Sequence, residues 1–107
     1  MNLPWCAGLF VGEGSVWRDS RHGYLHFGLT MLDERSVRLF AETLGSHMPK
    51  RRGPWRETST PIPVTQDRGK YWRVHIGGTR AEAAIQLLRP YCVGTAKGDR
   101  MEQVLHG

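Results

Sequence analysis

Glu13 is the residue whose type and setting most suggest chemistry. It stands between Gly12 and Gly14 near the end of WCAGLFVGEGSV, residues 5 to 16, and is the one acid in that apolar run. Leu3 to Gly12 reads as a short helix, with Pro4 in the first turn, where its missing N–H costs nothing, and with Gly14 and Ser15 as the break. A carboxylate at a helix C-terminus is electrostatically unfavourable, and a divalent cation would compensate it. Two readings stand: an exposed turn acid between flexible glycines, or a cation-holding group. Gly8 and Gly12 lie four apart on one helical face with Ala7 beside them, and small residues at that spacing let two helix backbones approach closely. The stretch is not a P-loop, since no Gly-Lys-Ser/Thr follows, and its glycine spacing is not GxGxxG.

Other chemistries are excluded by spacing. Cys6 and Cys92 match no CxxC or zinc pattern and read as reduced buried thiols of an intracellular protein. The five histidines are scattered along the chain and form no HExxH, so no zinc site is expected. No apolar run approaches the ~18 residues of a membrane span, and no signal peptide is expected. At 107 residues the chain is expected to be one domain, residues 1–107.

The elements that must position Glu13 follow from periodicity. Ser15 to Arg21 reads as a first strand and Arg21-His22-Gly23 as a turn. Tyr24 to Met31 alternates, with Leu25, Phe27, Leu29 and Met31 on one face and Tyr24, His26, Gly28 and Thr30 on the other. Asp33 should cap a helix over Glu34 to Leu44, buried through Val37, Leu39, Phe40, Ala41 and Leu44, with Gly45 as its stop. Trp55 to Thr60 is expected as the third strand, limited by Pro61 and Pro63. Lys70 to Ile76 alternates again, Trp72, Val74 and Ile76 against Tyr71, Arg73 and His75. Thr79 with Glu82 predicts a capping box for a helix over Arg80 to Leu88, ended by Pro90. A tail helix is expected over Asp99 to Leu105. The order is αββαββα, an α+β fold with a four-stranded antiparallel sheet and helices on one face.

The net charge is +5 and the pI about 9.8, a balance that favours polyanions. The strand and turn zones, residues 15 to 31 and 46 to 78, hold nine Lys and Arg against three acids, a net of +6, whereas the rest of the chain nets −1. Two explanations are open: a solvated sheet face whose long basic side chains deter edge pairing, or a surface for nucleic acid, since a strand ribbon can enter a major groove. Alternation puts Arg18, Arg21, His26, Thr30, Arg56, Thr58, Arg73 and His75 toward the nucleic acid, and the Arg51-Arg52 turn toward phosphates. The first strand is ambiguous, with Val16 and Arg18 pointing one way and Trp17 and Asp19 the other. A membrane partner is not expected, because the charge lies on strands and there is no basic amphipathic helix.

Cys6-Ala7-Gly8-Leu9-Phe10-Val11-Gly12-Glu13-Gly14 resembles the LAGLIDADG motif of homing endonucleases. The αββαββα order is similar to that family's core. Leu88-Arg89-Pro90-Tyr91, Lys97 and Met101 to Leu105 resemble its closing segment. The resemblance implies a homodimer whose motif helices meet at a two-fold axis through Ala7, Gly8, Val11 and Gly12. It implies that Glu13, with Gly12, holds Mg2+ (with Mn2+ as a substitute) for a double-strand cut in a pseudo-palindromic site on double-stranded DNA, inside a cell. It also implies supporting catalytic roles for Lys97 and Arg35. Met31 departs from the family pattern, which usually has a polar residue there. That departure, with the short chain, keeps open a DNA-binding regulator or an RNA splicing cofactor that does not cut, and a plain α+β interaction domain remains a further alternative.

Overall fold

A computed structural model describes residues 1–52, 57–58 and 61–106, the strand pairs at 51–52 and 57–58 by backbone course alone. Helix α1 spans Leu3–Glu13, β1 Gly14–Arg18, β2 Leu25–Met31 and α2 Glu34–His47. They are followed by β3 Arg51–Arg52, β4 Glu57–Thr58, β5 Val64–Asp67 and β6 Tyr71–Gly77. Helix α3 spans Gly78–Leu88, a 3-10 turn Arg89–Tyr91, and helix α4 Ala96–His106. The main sheet has the order β1-β2-β6-β5, each neighbouring pair antiparallel, and β3 with β4 forms a separate two-stranded ribbon. The fold class is α+β, as the alternation of the strands implies.

One face of the sheet is apolar because strand side chains alternate. Val16, Leu25, Phe27, Leu29, Val74 and Ile76 are buried beneath Cys6, Ala7 and Phe10 of α1, Val37, Phe40, Ala41 and Leu44 of α2, and Ala84, Ile85 and Leu88 of α3. Phe10, Phe27 and Phe40 stack at the centre. The Phe10 and Phe27 ring centroids are 4.4 Å apart, and Phe40 lies 6.3 Å from Phe10. Stacked aromatic pairs add about 0.5–1.5 kcal/mol beyond their buried area, so this trio ties α1 firmly to β2 and α2. Cys6 and Cys92 are free, buried thiols; burial pushes Cys6 up to about 11 and raises Cys92. Leu39, expected in the core, stays half-exposed.

The structure corrects several boundaries. The third strand of the sheet is Val64–Asp67, beyond both prolines, rather than Trp55 to Thr60. Residues 53–56 and 59–60 lie outside the described residues, and Glu57–Thr58 pairs with Arg51–Arg52 instead of joining the main sheet. The reason is turn chemistry. Arg68 (φ 55°) and Gly69 (φ 67°) stand at positive φ in a three-residue loop, Arg68 to Lys70, with Lys70 N–H bonded to the Asp67 carbonyl. Turn type and loop length fix the register of a hairpin, here pairing Asp67 with Tyr71 and Val64 with Val74.

Helix α3 begins without the expected capping box. Gly77 is its N-cap with no side-chain bond, Gly78 at φ 64° makes the corner out of β6, and Thr79 is already helical. The last helix starts three residues early. Thr95 Oγ1 accepts from Gly98 N–H and donates to the Cys92 carbonyl, and a Cβ on Gly98 would lie 2.1 Å from that carbonyl oxygen. Helix α2 runs one turn further than expected, to His47.

Candidate nucleic-acid interface and acidic site

Glu13 is the last residue of α1 and is exposed. The joint behind it is rigid. Gly14 is buried, its N–H bonds the Phe10 carbonyl, and a Cβ there would fall 2.2 Å from the Phe10 ring. Gly14 pairs with Leu29 across β1 and β2, so Glu13 sits level with the end of β2, where Thr30 and Met31 lead toward Asp33 and α2. Arg35, in the first exposed turn of α2, is therefore at the same end of the sheet as Glu13. Lys97 is half-buried in the first turn of α4, the helix that packs against both α1 and β1.

Helix α1 is apolar almost all round. Cys6, Ala7 and Phe10 are buried, Leu3, Trp5, Leu9 and Val11 are half-buried against the core, and Pro4, Gly8 and Gly12 form the exposed outer line. A Cβ on Gly8 or Gly12 would meet nothing within 4 Å. Each glycine costs a helix roughly 0.5–1 kcal/mol relative to alanine, and the chain's own packing gives no reason for either. Ala7, expected at an interface, is 1% exposed and belongs to the core. Val11 is half-exposed, beside the glycines on the outer side.

The other face of the sheet carries no helix. Its residues are Ser15 and Trp17 of β1, His26, Gly28 and Thr30 of β2, Thr65 and Asp67 of β5, and Tyr71, Arg73 and His75 of β6. His26, Thr30, Arg73 and His75 thus share one surface. Arg18 does not. It follows buried Val16 on the helix side, where its Nε donates to the Val104 carbonyl of α4 at 2.6 Å and its Nη1 to the Gly23 carbonyl at 2.8 Å. Arg21 is exposed in the turn between β1 and β2. Arg51, Arg52 and Thr58 belong to the separate ribbon, Arg51 opposite Thr58, and Arg56 lies outside the described residues. Of the other cations in the described strands and turns, Arg21, Arg68 and Lys70 stand in turns at the rims of the main sheet, and Arg73 lies on the open surface itself.

Spacing did not reveal a side-chain chain on this face. Asp19 Oδ2 lies 2.9 Å from His26 Nε2, and His26 Nδ1 lies 3.0 Å from His75 Nε2. Trp17 stacks on both imidazoles, its ring centroid 5.1 Å from His26 and 5.6 Å from His75, with its tip over Gly28. Asp19 also closes the turn, accepting His22 N–H on Oδ1 at 2.7 Å. The hydrogen bond from His26, then that from the His22 backbone, holds the Asp19 carboxyl below its ordinary range. Desolvation first, then the Arg73 and His26 charges, pushes His75 down. The available signal was Val16: once it is buried, Trp17 and Asp19 must share the open face with His26.

No group of three or more His, Cys, Asp or Glu with metal-binding geometry exists among the described residues. One chain supplies one exposed carboxylate at the end of α1 and the neighbouring backbone carbonyl of Gly12. Such a donor set suits an oxygen-seeking cation that completes its shell with water, phosphate and a second copy of the chain. None of the described helices is long and apolar enough to cross a membrane.

These elements define a class: a sheet of four antiparallel strands, helices on one face, and an apolar helix ending in an exposed acid. The LAGLIDADG-type homing endonucleases share this fold. Homing endonuclease I-CvuI, solved in complex with its target in the presence of calcium, matches 96% of this chain at a TM-score of 0.65 and 14% identity. I-CvuI with the I-CreI target in the presence of magnesium, its DNA not cleaved, matches equally. I-TnaI, also a homing endonuclease, matches 98% of the chain at 0.63 and 13%. The chain spans 62% of the length of the I-CvuI chain and 69% of that of I-TnaI. No family model matches the sequence, and neither does any curated protein, so the likeness lies in the fold.

Proposed function

We propose that the chain is a homodimeric DNA endonuclease that cuts both strands of a pseudo-palindromic site with Mg2+, or Mn2+ in its place. The observation that carries this reading is the outer side of α1. It is apolar, it holds two glycines that the chain's own packing does not require, and it ends in the exposed Glu13. A second copy of α1 laid against Gly8, Val11 and Gly12 would cover that side and bring two Glu13 carboxylates together at a two-fold axis.

In this reading Glu13 and the Gly12 carbonyl would hold the divalent ion. When bound, it would supply an activated water and charge neutralisation for in-line phosphodiester hydrolysis. Lys97 offsets developing charge on the phosphate, and Arg35 orients water at the same end of the sheet. The open faces bind the duplex, His26, Thr30, Arg73 and His75 toward base edges and the rim cations Arg21, Arg51 and Arg52 toward phosphates. The homing endonuclease neighbours, solved with targets and divalent ions, support the class of substrate.

The test is Glu13→Gln on a randomised duplex library with magnesium. Cleavage is expected to fall at least ~10²-fold while binding is kept. A variant that cuts at the wild-type rate removes Glu13 from the chemistry. Met31 favours a second reading. It packs on the core opposite Trp72, so the last position of β2 carries no polar side chain. A wild-type chain that binds duplex but cuts nothing in magnesium or manganese would establish the non-cutting DNA-binding or RNA-splicing role instead.

A further inference from the structure

The open face holds a polar device that neither the motif helix nor the rim cations explain. Asp19, His26 and His75 come from three different strand ends or strands and form one unbroken hydrogen-bond chain, 2.9 Å and 3.0 Å between heavy atoms. Trp17 lies flat along both imidazoles, interplanar angles 12° and 9°. Gly28 makes room for it, since the indole tip comes within 3.6 Å of where a Cβ would stand. The chain ends on an exposed ring, and His75 Nδ1 has no hydrogen-bond partner among the described residues.

Proton counting decides what that last nitrogen is. An ionised Asp19 only accepts, so His26 Nε2 must carry a hydrogen. With both rings neutral, His26 Nδ1 is then a lone pair, and the 3.0 Å contact requires His75 Nε2 to carry its hydrogen. His75 Nδ1 is left as an acceptor. One more proton, taken from solvent, changes this without breaking a bond. Whichever ring holds the positive charge, one hydrogen remains between the rings and His75 Nδ1 becomes an N–H donor. A second added proton would set two N–H groups against each other and open the pair.

We propose that the Asp19–His26–His75 chain is a base-reading device. It presents His75 Nδ1 as an acceptor for the amino group of adenine or cytosine, and uptake of one proton turns it into a donor that suits guanine. The proposal rests on the reading of the open face as a duplex-binding surface. The acceptor and donor groups of the four bases differ in the major groove as this requires: adenine and cytosine offer amino groups, guanine N7 and O6. The surroundings favour the acceptor form near neutral pH. The charged and titratable groups on and around this surface are Arg73 and Tyr71 on β6 with Lys70 before it, His26 on β2 with Tyr24 before it, Asp19 after β1, Asp67 on β5 and His22 in the 19–24 turn. Desolvation under Trp17, then Arg73 and His26, resist a positive charge on His75.

Asp19→Asn tests the chain without adding charge. The amide oxygen that this substitution introduces can keep the His22 N–H, while the amide nitrogen donates to His26 Nε2. The hydrogen on His26 then moves to Nδ1, the inner bond reverses, and His75 Nδ1 becomes a donor at neutral pH. Replacing a tautomer-setting Asp by Asn has this effect on a histidine elsewhere. Two readouts are needed on the full chain. The first is ¹⁵N NMR of the free protein's imidazoles at pH 7.5. His75 should carry its hydrogen on Nε2 in the wild type and on Nδ1 in Asp19→Asn; a wild-type Nδ1–H tautomer overturns the proposal.

The second readout is selection from a randomised duplex pool. The wild type at pH 7.5 should enrich adenine or cytosine at one position about five- to tenfold. Asp19→Asn at pH 7.5 and the wild type at pH 5.5 should shift that position toward guanine, and His75→Phe, which keeps the stacked ring, should lose the preference. Wild type and His75→Phe selecting the same sequences overturns this device and leaves duplex binding standing. A wild type that retains no duplex at low salt overturns both, whatever the tautomers.

Discussion

Alanine placed at three glycines of one short stretch should change stability in opposite directions. At Gly14 an added Cβ would stand 2.2, 2.4 and 2.5 Å from Phe10 Cδ1, Cε1 and Cγ. Carbon atoms in contact prefer about 3.5–4.0 Å, so a gap of more than 1 Å must open. Phe10 is fully buried, its ring stacked on Phe27 at 4.4 Å with Phe40 beside both rings at 6.3 and 6.2 Å, so it has no free side to move into. Overpacking of this kind costs about 1–3 kcal/mol. The gain from a less flexible unfolded chain returns about 0.4–1 kcal/mol. The net is a loss of up to about 2.6 kcal/mol, or up to about 15 °C in Tm for a domain of this size. At Gly8 and Gly12 an added Cβ meets nothing within 4 Å. Alanine should stabilise the isolated chain there by about 0.5–1 kcal/mol each. Thermal unfolding followed by far-ultraviolet circular dichroism, at a concentration where the chain is monomeric, measures all three. A Gly14→Ala protein that melts at or above the wild-type temperature would refute the argument, since the joint that carries Glu13 would then not be held by Phe10.

The remaining expectations are simpler. Gly8→Leu should weaken self-association by blocking close approach of two α1 helices; sedimentation showing an unchanged dimer would place the interface elsewhere. DNA affinity should fall steeply with salt, because several rim cations release counterions from phosphates; a flat response in a titration from 50 to 200 mM, roughly the range over which such contacts show, contradicts the duplex-binding face. Asp33 caps α2, accepting Arg35 N–H and the Ser36 hydroxyl, and the Ser36 bond above all holds its carboxyl below the ordinary range. A depressed carboxyl stabilises the fold above its unfolded-state value and loses that contribution as pH falls through the folded-state value. Tm should therefore drop as pH goes below about 4, and Asp33→Asn, still a good cap, should flatten that limb; identical acid limbs would exclude the carboxyl.

Where neighbours along the chain carry the signal, the sequence is enough. The alternation of Leu25, Phe27 and Leu29 and of Trp72, Val74 and Ile76 names the two central strands and their buried faces, because each side chain's face depends only on its place in the pleat. The α2 stripe of Val37, Phe40, Ala41 and Leu44 and its Asp33 cap follow from helical spacing in the same way. The exposed acid at the end of α1 is legible for the same reason, since Pro4 and Gly14 bracket the helix.

Tertiary structure decided the rest. Only the partner strand shows that Val64–Asp67 completes the sheet, because its register is set by a turn and by Val74 across the ladder. Arg18 looks like a base reader until α4 folds back and offers it the Val104 carbonyl. Ala7 looks like an interface residue until the core closes over it. His26 and His75 are 49 residues apart, and nothing local joins them to Asp19. Pairing β2 with β6 sets Gly28 beside His75, which leaves room for Trp17 to lie over both imidazoles. A hydrogen-bond chain between distant segments exists only once sheet register brings its atoms within 3 Å, and no periodicity encodes that distance.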